Sequence, residues 1–83
     1  MKIKVAATQM SCTWEIEENI SKAKKLIHKA ASEGANIILL QELFQTPYFC
    51  IQYGEEIFKL AQTFENNKIL EQFSKLAKDL QIV

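Results

Sequence analysis

The sequence predicts an α/β fold with the element order βαβα, and three observations carry that prediction. An unbroken apolar run, Ile37-Ile38-Leu39-Leu40, is bounded on both sides by polar residues, the mark of a short strand buried in a covered parallel sheet. The stretch before it, from Thr13 to about Glu33, repeats apolar residues at three- and four-residue steps, and a second such stretch follows near the C-terminal end. The rest of the composition agrees. Of 83 residues, 48% are hydrophobic and 24% charged, with only two glycines and one proline, which excludes a disordered tail, a collagen-like sequence and a turn-rich β-sandwich.

The first element is a strand of about six residues within Ile3-Lys4-Val5-Ala6-Ala7-Thr8-Gln9-Met10, which is short and partly β-branched. Thr13 precedes Glu15, Glu17 and Glu18, carboxylates that suit a helix N-terminus, so Thr13 is the predicted N-cap. Ile16, Ile20, Ala23, Ile27, Ala30 and Ala31 form the apolar stripe of that helix. Lys22, Lys24, Lys25, His28 and Lys29 lie on its solvated faces, and Gly34 stands where a left-handed residue would end it. Trp14 is expected to pack as a hydrophobic anchor at the start of the helix. The strand 37–40 completes a βαβ unit, whose crossover should be right-handed. Residues 41–53 then read as a loop, and a short helix is predicted from Gly54 to about Gln62. Asn66 or Asn67 caps a final helix with the stripe Ile69, Leu70, Phe73, Leu76, Ala77 and Leu80.

Ile82-Val83 reads as the start of a third strand, so residues 1–83 are expected to be the N-terminal portion of one larger domain, ending before that strand is complete. Two amphipathic helices suffice for one face of the sheet only. The other face should be bare, a demand for a partner layer.

Charge and cysteine usage narrow the function. Ten basic side chains balance ten acidic ones, which argues against nucleic-acid binding. No apolar run approaches the roughly 18 residues of a membrane span, and the first residues lack the pattern of a signal peptide. Cys12 and Cys50 stand far apart with His28 as the single histidine, too few ligands for a zinc site and a usage that suits a reducing cytoplasm. Both thiols read as packed or incidental side chains.

Chemistry in open α/β sheets gathers beyond the carboxyl ends of the strands. Gln41-Glu42 stands at such an end. Glu42 is either a solvated glutamate that merely ends a strand or a partly desolvated carboxylate suited to general-base work. Tyr48 and Phe49 follow closely enough to line a pocket mouth, or else fill core.

The series Val5-Ala6-Ala7-Thr8-Gln9-Met10, then Asn19-Ile20, Gly34-Ala35-Asn36 and Ile38-Leu39-Leu40-Gln41-Glu42-Leu43-Phe44 resembles the start of the nitrilase (carbon-nitrogen hydrolase) superfamily. The following Thr46-Pro47-Tyr48-Phe49-Cys50 is similar to the corresponding loop of its N-carbamoylputrescine amidase branch. The resemblance covers essentially the whole chain. It implies the βαβα part of a four-layer αββα sandwich, a Glu-Lys-Cys triad without metal or organic cofactor, a small-molecule amide or carbamoyl-amine substrate, and a homo-oligomer. Glu42 matches the general base of that triad, and the loop holding Tyr48 and Phe49 matches one that shapes the substrate site. No position matches the family's lysine or cysteine, and neither Cys12 nor Cys50 stands where the nucleophile would. The resemblance therefore implies hydrolysis of a linear amide or ureido compound, with N-carbamoylputrescine as the expected substrate and putrescine as a product, by a complete enzyme of which this chain alone is expected to be inactive. The competing expectation is an inactive product that serves only as a subunit-interaction module.

Overall fold

The computed structural model describes residues 1–47 and 59–83. Their elements follow the order β1 (Val5–Ala7), α1 (Ile16–Ser32), β2 (Ile37–Leu39) and α2 (Lys68–Leu80). The predicted βαβα order is therefore present, with both strands shorter than expected. β1 and β2 pair in parallel with Val5 opposite Ile37, Ala6 opposite Ile38 and Ala7 opposite Leu39. Pairing extends one step past each end: the Asn36 and Ile37 amides both donate to the Lys4 carbonyl, at 2.7 and 3.3 Å, and Thr8 N donates to the Leu39 carbonyl at 2.9 Å. The Asn36 side chain locks this register by accepting from Lys4 N at 3.0 Å.

Val83 lies against the free edge of β2. Its amide donates to Asn36 O at 3.0 Å and its carbonyl accepts from Ile38 N at 2.8 Å, the reciprocal pattern of a parallel ladder. Ile82-Val83 thus takes the place predicted for the start of a third strand.

α1 is tied down by its apolar stripe. Ile20, Ala23 and Ile27 are buried, Ala30 and Ala31 half-buried, and Lys25, His28 and Lys29 exposed, as the periodicity predicts; Ile16 at the start of the stripe is exposed instead, and Lys22 and Lys24 are half-buried, their ammonium groups donating to Ser11 O and Gln72 Oε1. Burying each isoleucine stabilises the fold by about 1.5–3 kcal/mol. Glu17 and Glu18 in the first turn and Lys29 in the last both complement the helix dipole. The helix ends as Gly34 implies: Gly34 has φ +92°, its amide donates to Ala31 O at 3.0 Å, and the Ala35 amide donates to Ala30 O at 3.0 Å. These are the two bonds of a Schellman ending, and Ala35 is buried beneath them.

The N-terminal end of α1 departs from expectation. Thr13 is not the cap; Glu15 holds that position and its side chain makes no capping bond. The Thr13 hydroxyl instead accepts from Glu15 N at 3.2 Å, a local turn two residues long. Trp14 is 53% exposed rather than packed. With Glu15 at the cap, the residue that would staple against Trp14 one helical turn later is Asn19, whose polar side chain offers no apolar partner.

α2 is capped by Asn67, whose Oδ1 accepts from Ile69 N at 3.0 Å and Leu70 N at 3.2 Å. Its stripe faces inward, with Ile69, Phe73, Leu76, Ala77 and Leu80 half-buried, while Leu70 is more exposed. Gln81 turns the chain out of the helix at φ 55°. The predicted helix 54–62 falls largely outside the described residues; Lys59 and Leu60 form a single 3₁₀ turn, and 61–63 have no regular structure.

Both helices cover the same face of the sheet. Ile27 of α1, Ile38 and Leu40 of the β2 segment, and Phe73 and Leu76 of α2 surround one apolar cavity of about 140 Å³. Ala6 and Ile38 point to that side and are half-buried. The opposite face carries Val5 and Leu39, each 69% exposed, and Ile37 at 42%. β2 is thus not covered on both faces, as its continuous apolar run had suggested, because two helices supply only one layer. No helix among the described residues is long and apolar enough to cross a membrane.

Candidate active site at the carboxyl end of the sheet

The backbone leaves β2 at Leu39 and turns sharply through Glu42 and Leu43. Leu43 adopts φ 55°, a left-handed conformation that costs a residue with a branched side chain about 1–2 kcal/mol and persists only where its surroundings hold it. The contacts that hold it come from three directions. Gln41 Oε1 accepts from Met10 N at 2.7 Å, and its Nε2 donates to Cys12 Sγ at 3.5 Å. Cys12 Sγ in turn donates to the Phe44 carbonyl at 3.3 Å. The Phe44 ring stacks on Phe73 of α2, with centroids 5.3 Å apart and planes inclined by 22°.

Asn19 closes the arrangement. Its side chain is fully buried at 0% exposure, at the first turn of α1. Oδ1 accepts from Thr13 N at 3.0 Å, while Nδ2 donates to the Thr13 carbonyl and, at 2.8 Å, to the Gln45 carbonyl. Both amide hydrogens and the oxygen are therefore satisfied, which makes burial of this polar group affordable in free energy. The loop after β1 and the loop after β2 are joined on either side of Glu42. Thr46, next in the chain, is buried as well, and its hydroxyl donates to the Pro47 carbonyl at 3.1 Å.

Glu42 itself is exposed. The expectation of partial desolvation is not met among the described residues, none of which is hydrogen-bonded to the carboxylate. What the structure does provide is a carboxylate on a firmly tethered turn at a strand end. Tyr48, Phe49 and Cys50 lie outside the described residues. Cys12 is a half-buried free thiol engaged with Gln41 and Phe44, in keeping with a packed rather than a nucleophilic cysteine. No group of His, Cys, Asp and Glu side chains among the described residues is disposed to hold a metal ion.

Asn19 is the buried residue of the candidate site that the periodicity alone does not single out. It stands four residues before Ala23 and eight before Ile27, in line with the buried stripe of α1. A lone amide in that line, at the N-terminal end of a helix, is the signal that could have found it. The Cys12 to Phe44 contact has no comparable trace in sequence.

Comparison with known proteins places these features. Across 82 residues the chain is 43% identical to an N-carbamoylputrescine amidase from Oryza sativa subsp. japonica, covering 99% of this chain and 27% of the relative. It is 39% identical to an N-carbamoylputrescine amidase from Arabidopsis thaliana over 82 residues, again 99% of this chain and 27% of the relative. A citrullinase from Francisella tularensis is 38% identical over 81 residues, 98% of this chain and 28% of the relative. The chain thus spans little more than a quarter of the length of these relatives. Residues 4–83 match the family described as carbon-nitrogen hydrolase, and the chain belongs to that family.

Proposed function

We propose that this segment supplies the general base of a carbon-nitrogen hydrolase that acts on a linear carbamoyl-amine, with N-carbamoylputrescine as the favoured substrate and putrescine, carbon dioxide and ammonia as products. The observation that carries the reading is the position of Glu42: a carboxylate at the carboxyl end of β2, on a turn held by Gln41, Asn19 and Phe44, where α/β folds place their chemistry. The similarity to N-carbamoylputrescine amidases supports the substrate class. A product of this kind belongs to polyamine synthesis, and a reducing cytoplasm suits the separated cysteines.

The chemistry runs through a Glu-Lys-Cys triad. Glu42 takes the proton of the nucleophilic thiol as the sulfur attacks the carbonyl carbon. A lysine ammonium stabilises the tetrahedral oxyanion, Glu42 hands its proton to the departing amine, and a carbamoyl thioester remains on the sulfur. Glu42 then takes a proton from water as it attacks the thioester and passes it to the departing sulfur, restoring the thiol, and the carbamate released breaks down to carbon dioxide and ammonia. The lysine and the cysteine come from sequence beyond the region matched here. The sheet face bearing Val5, Ile37 and Leu39 is proposed to pack against a second sheet, giving four layers αββα, and the assembled enzyme is proposed to be a homo-oligomer.

The test is the complete protein assayed for ammonia release from N-carbamoylputrescine, citrulline and an ω-amide. The largest kcat/KM is expected for N-carbamoylputrescine. A ratio favouring either competitor ten-fold or more would reassign the substrate while leaving the reaction class intact.

A further inference from the structure

The geometry points to Asn19 as a positioning residue for Glu42, an inference that rests on Glu42 being the general base. Glu42 makes no side-chain hydrogen bond among the described residues, so what the surrounding structure fixes is the backbone position from which its side chain reaches out. That backbone carries a left-handed residue, Leu43, immediately after it. Left alone, such a turn relaxes. Three anchors prevent this: Gln41 before it, Phe44 at 5.3 Å from Phe73 after it, and the Gln45 carbonyl held by Asn19 at 2.8 Å.

Of the three, Asn19 is the one that couples the turn to rigid structure. It is fully buried, it belongs to the first turn of α1, and the helix below it is fixed by the buried side chains of Ile20 and Ile27. Its amide holds both polar backbone groups of Thr13 with the same side chain that holds Gln45. The loops from β1 and β2 therefore share one reference point. Gln41 makes the same kind of link, between Met10 N and the residue adjoining Glu42, but from a half-buried position. Asn19 touches no reacting atom in this arrangement; its effect passes through the turn. Displacing a reacting group by about 1 Å can cost roughly 100-fold in rate.

The experiment compares four substitutions in the complete protein, each measured for kcat and KM of ammonia release and for the urea midpoint of unfolding. Asn19→Ala is expected to lower kcat 10- to 100-fold with KM within two-fold of wild type, since substrate contacts are untouched. Gln41→Ala, which leaves the buried hub in place, is expected to lower kcat three- to ten-fold and guards against failure of Asn19→Ala to fold. Ala23→Gly lies one turn further along the same helix and perturbs the same buried stripe; it is expected to lower the midpoint and leave kcat unchanged. If Asn19→Ala and Gln41→Ala both retain wild-type kcat, or if kcat in Ala23→Gly falls in step with stability as it does in Asn19→Ala, the positioning role is overturned. Glu42→Gln separates the two levels: a loss of activity with normal Asn19 and Gln41 variants defeats the positioning role alone, whereas retained activity in Glu42→Gln defeats the general base and the positioning role together.

Discussion

Glu42 and Asn19 show how differently two candidate-site residues can be written into a sequence. Glu42 is legible because it follows four apolar residues and so must stand at a strand end; its exposure is not legible, since that depends on what else covers the site. Asn19 has the opposite character. Its burial follows from its place in the helical stripe, but its partners at Thr13 and Gln45 are set by two loops whose paths no local pattern dictates. Trp14 illustrates the same limit, for its staple partner turns out to be that same asparagine. Gly34 is the residue where sequence and backbone agree most directly. At φ +92° a side chain is strained whatever the space around it, although an added Cβ would meet only the Lys4 side chain, Cδ at 3.8 Å and Nζ at 4.0 Å. Gly34→Ala is therefore expected to destabilise the fold by about 1 kcal/mol through backbone strain alone, measured as a fall in the urea midpoint with an unchanged slope.

Elements were legible in type and order, and less so in extent. α1 and α2 appear where the three- and four-residue periodicity places them, and Asn67 caps α2 as one of two candidates. The strands are three residues each because a ladder extends only as far as its partner does, and among the described residues β1 pairs with β2 alone. Among the described residues an aromatic pair links the turn after β2 to α2. Phe44 comes from the turn and Phe73 from the middle of the helix, stacked at 5.3 Å. A double-mutant cycle with Phe44→Leu and Phe73→Leu is expected to give a coupling energy of about 0.5–1.5 kcal/mol, read from unfolding midpoints of the two single variants and the double variant. A value near zero would mean that the rings are neighbours without holding the turn.

At the scale of the whole molecule, a single layer of helices covers a sheet that is apolar on both sides. Val5, Ile37 and Leu39 stand exposed on the uncovered face, a surface that favours association until another layer is laid over it. The 83-residue polypeptide alone is expected to self-associate in sedimentation velocity, and Val5→Lys with Leu39→Lys to shift it toward monomer. A wild-type chain that stays monomeric at high concentration would show that the face needs no cover. Such a face also favours the second reading of the chain, as a module that binds another subunit, and the two readings part on chemistry. On the triad proposed above, a segment with Glu42 but no position matching the lysine or the nucleophile lacks a covalent route, since triad members act as a unit. The decisive measurement is ammonia release from N-carbamoylputrescine by the purified 83-residue chain. No release above the protein-free blank is expected; release that disappears in Glu42→Gln would contradict the assignment of this segment as the base-bearing part of a larger active site.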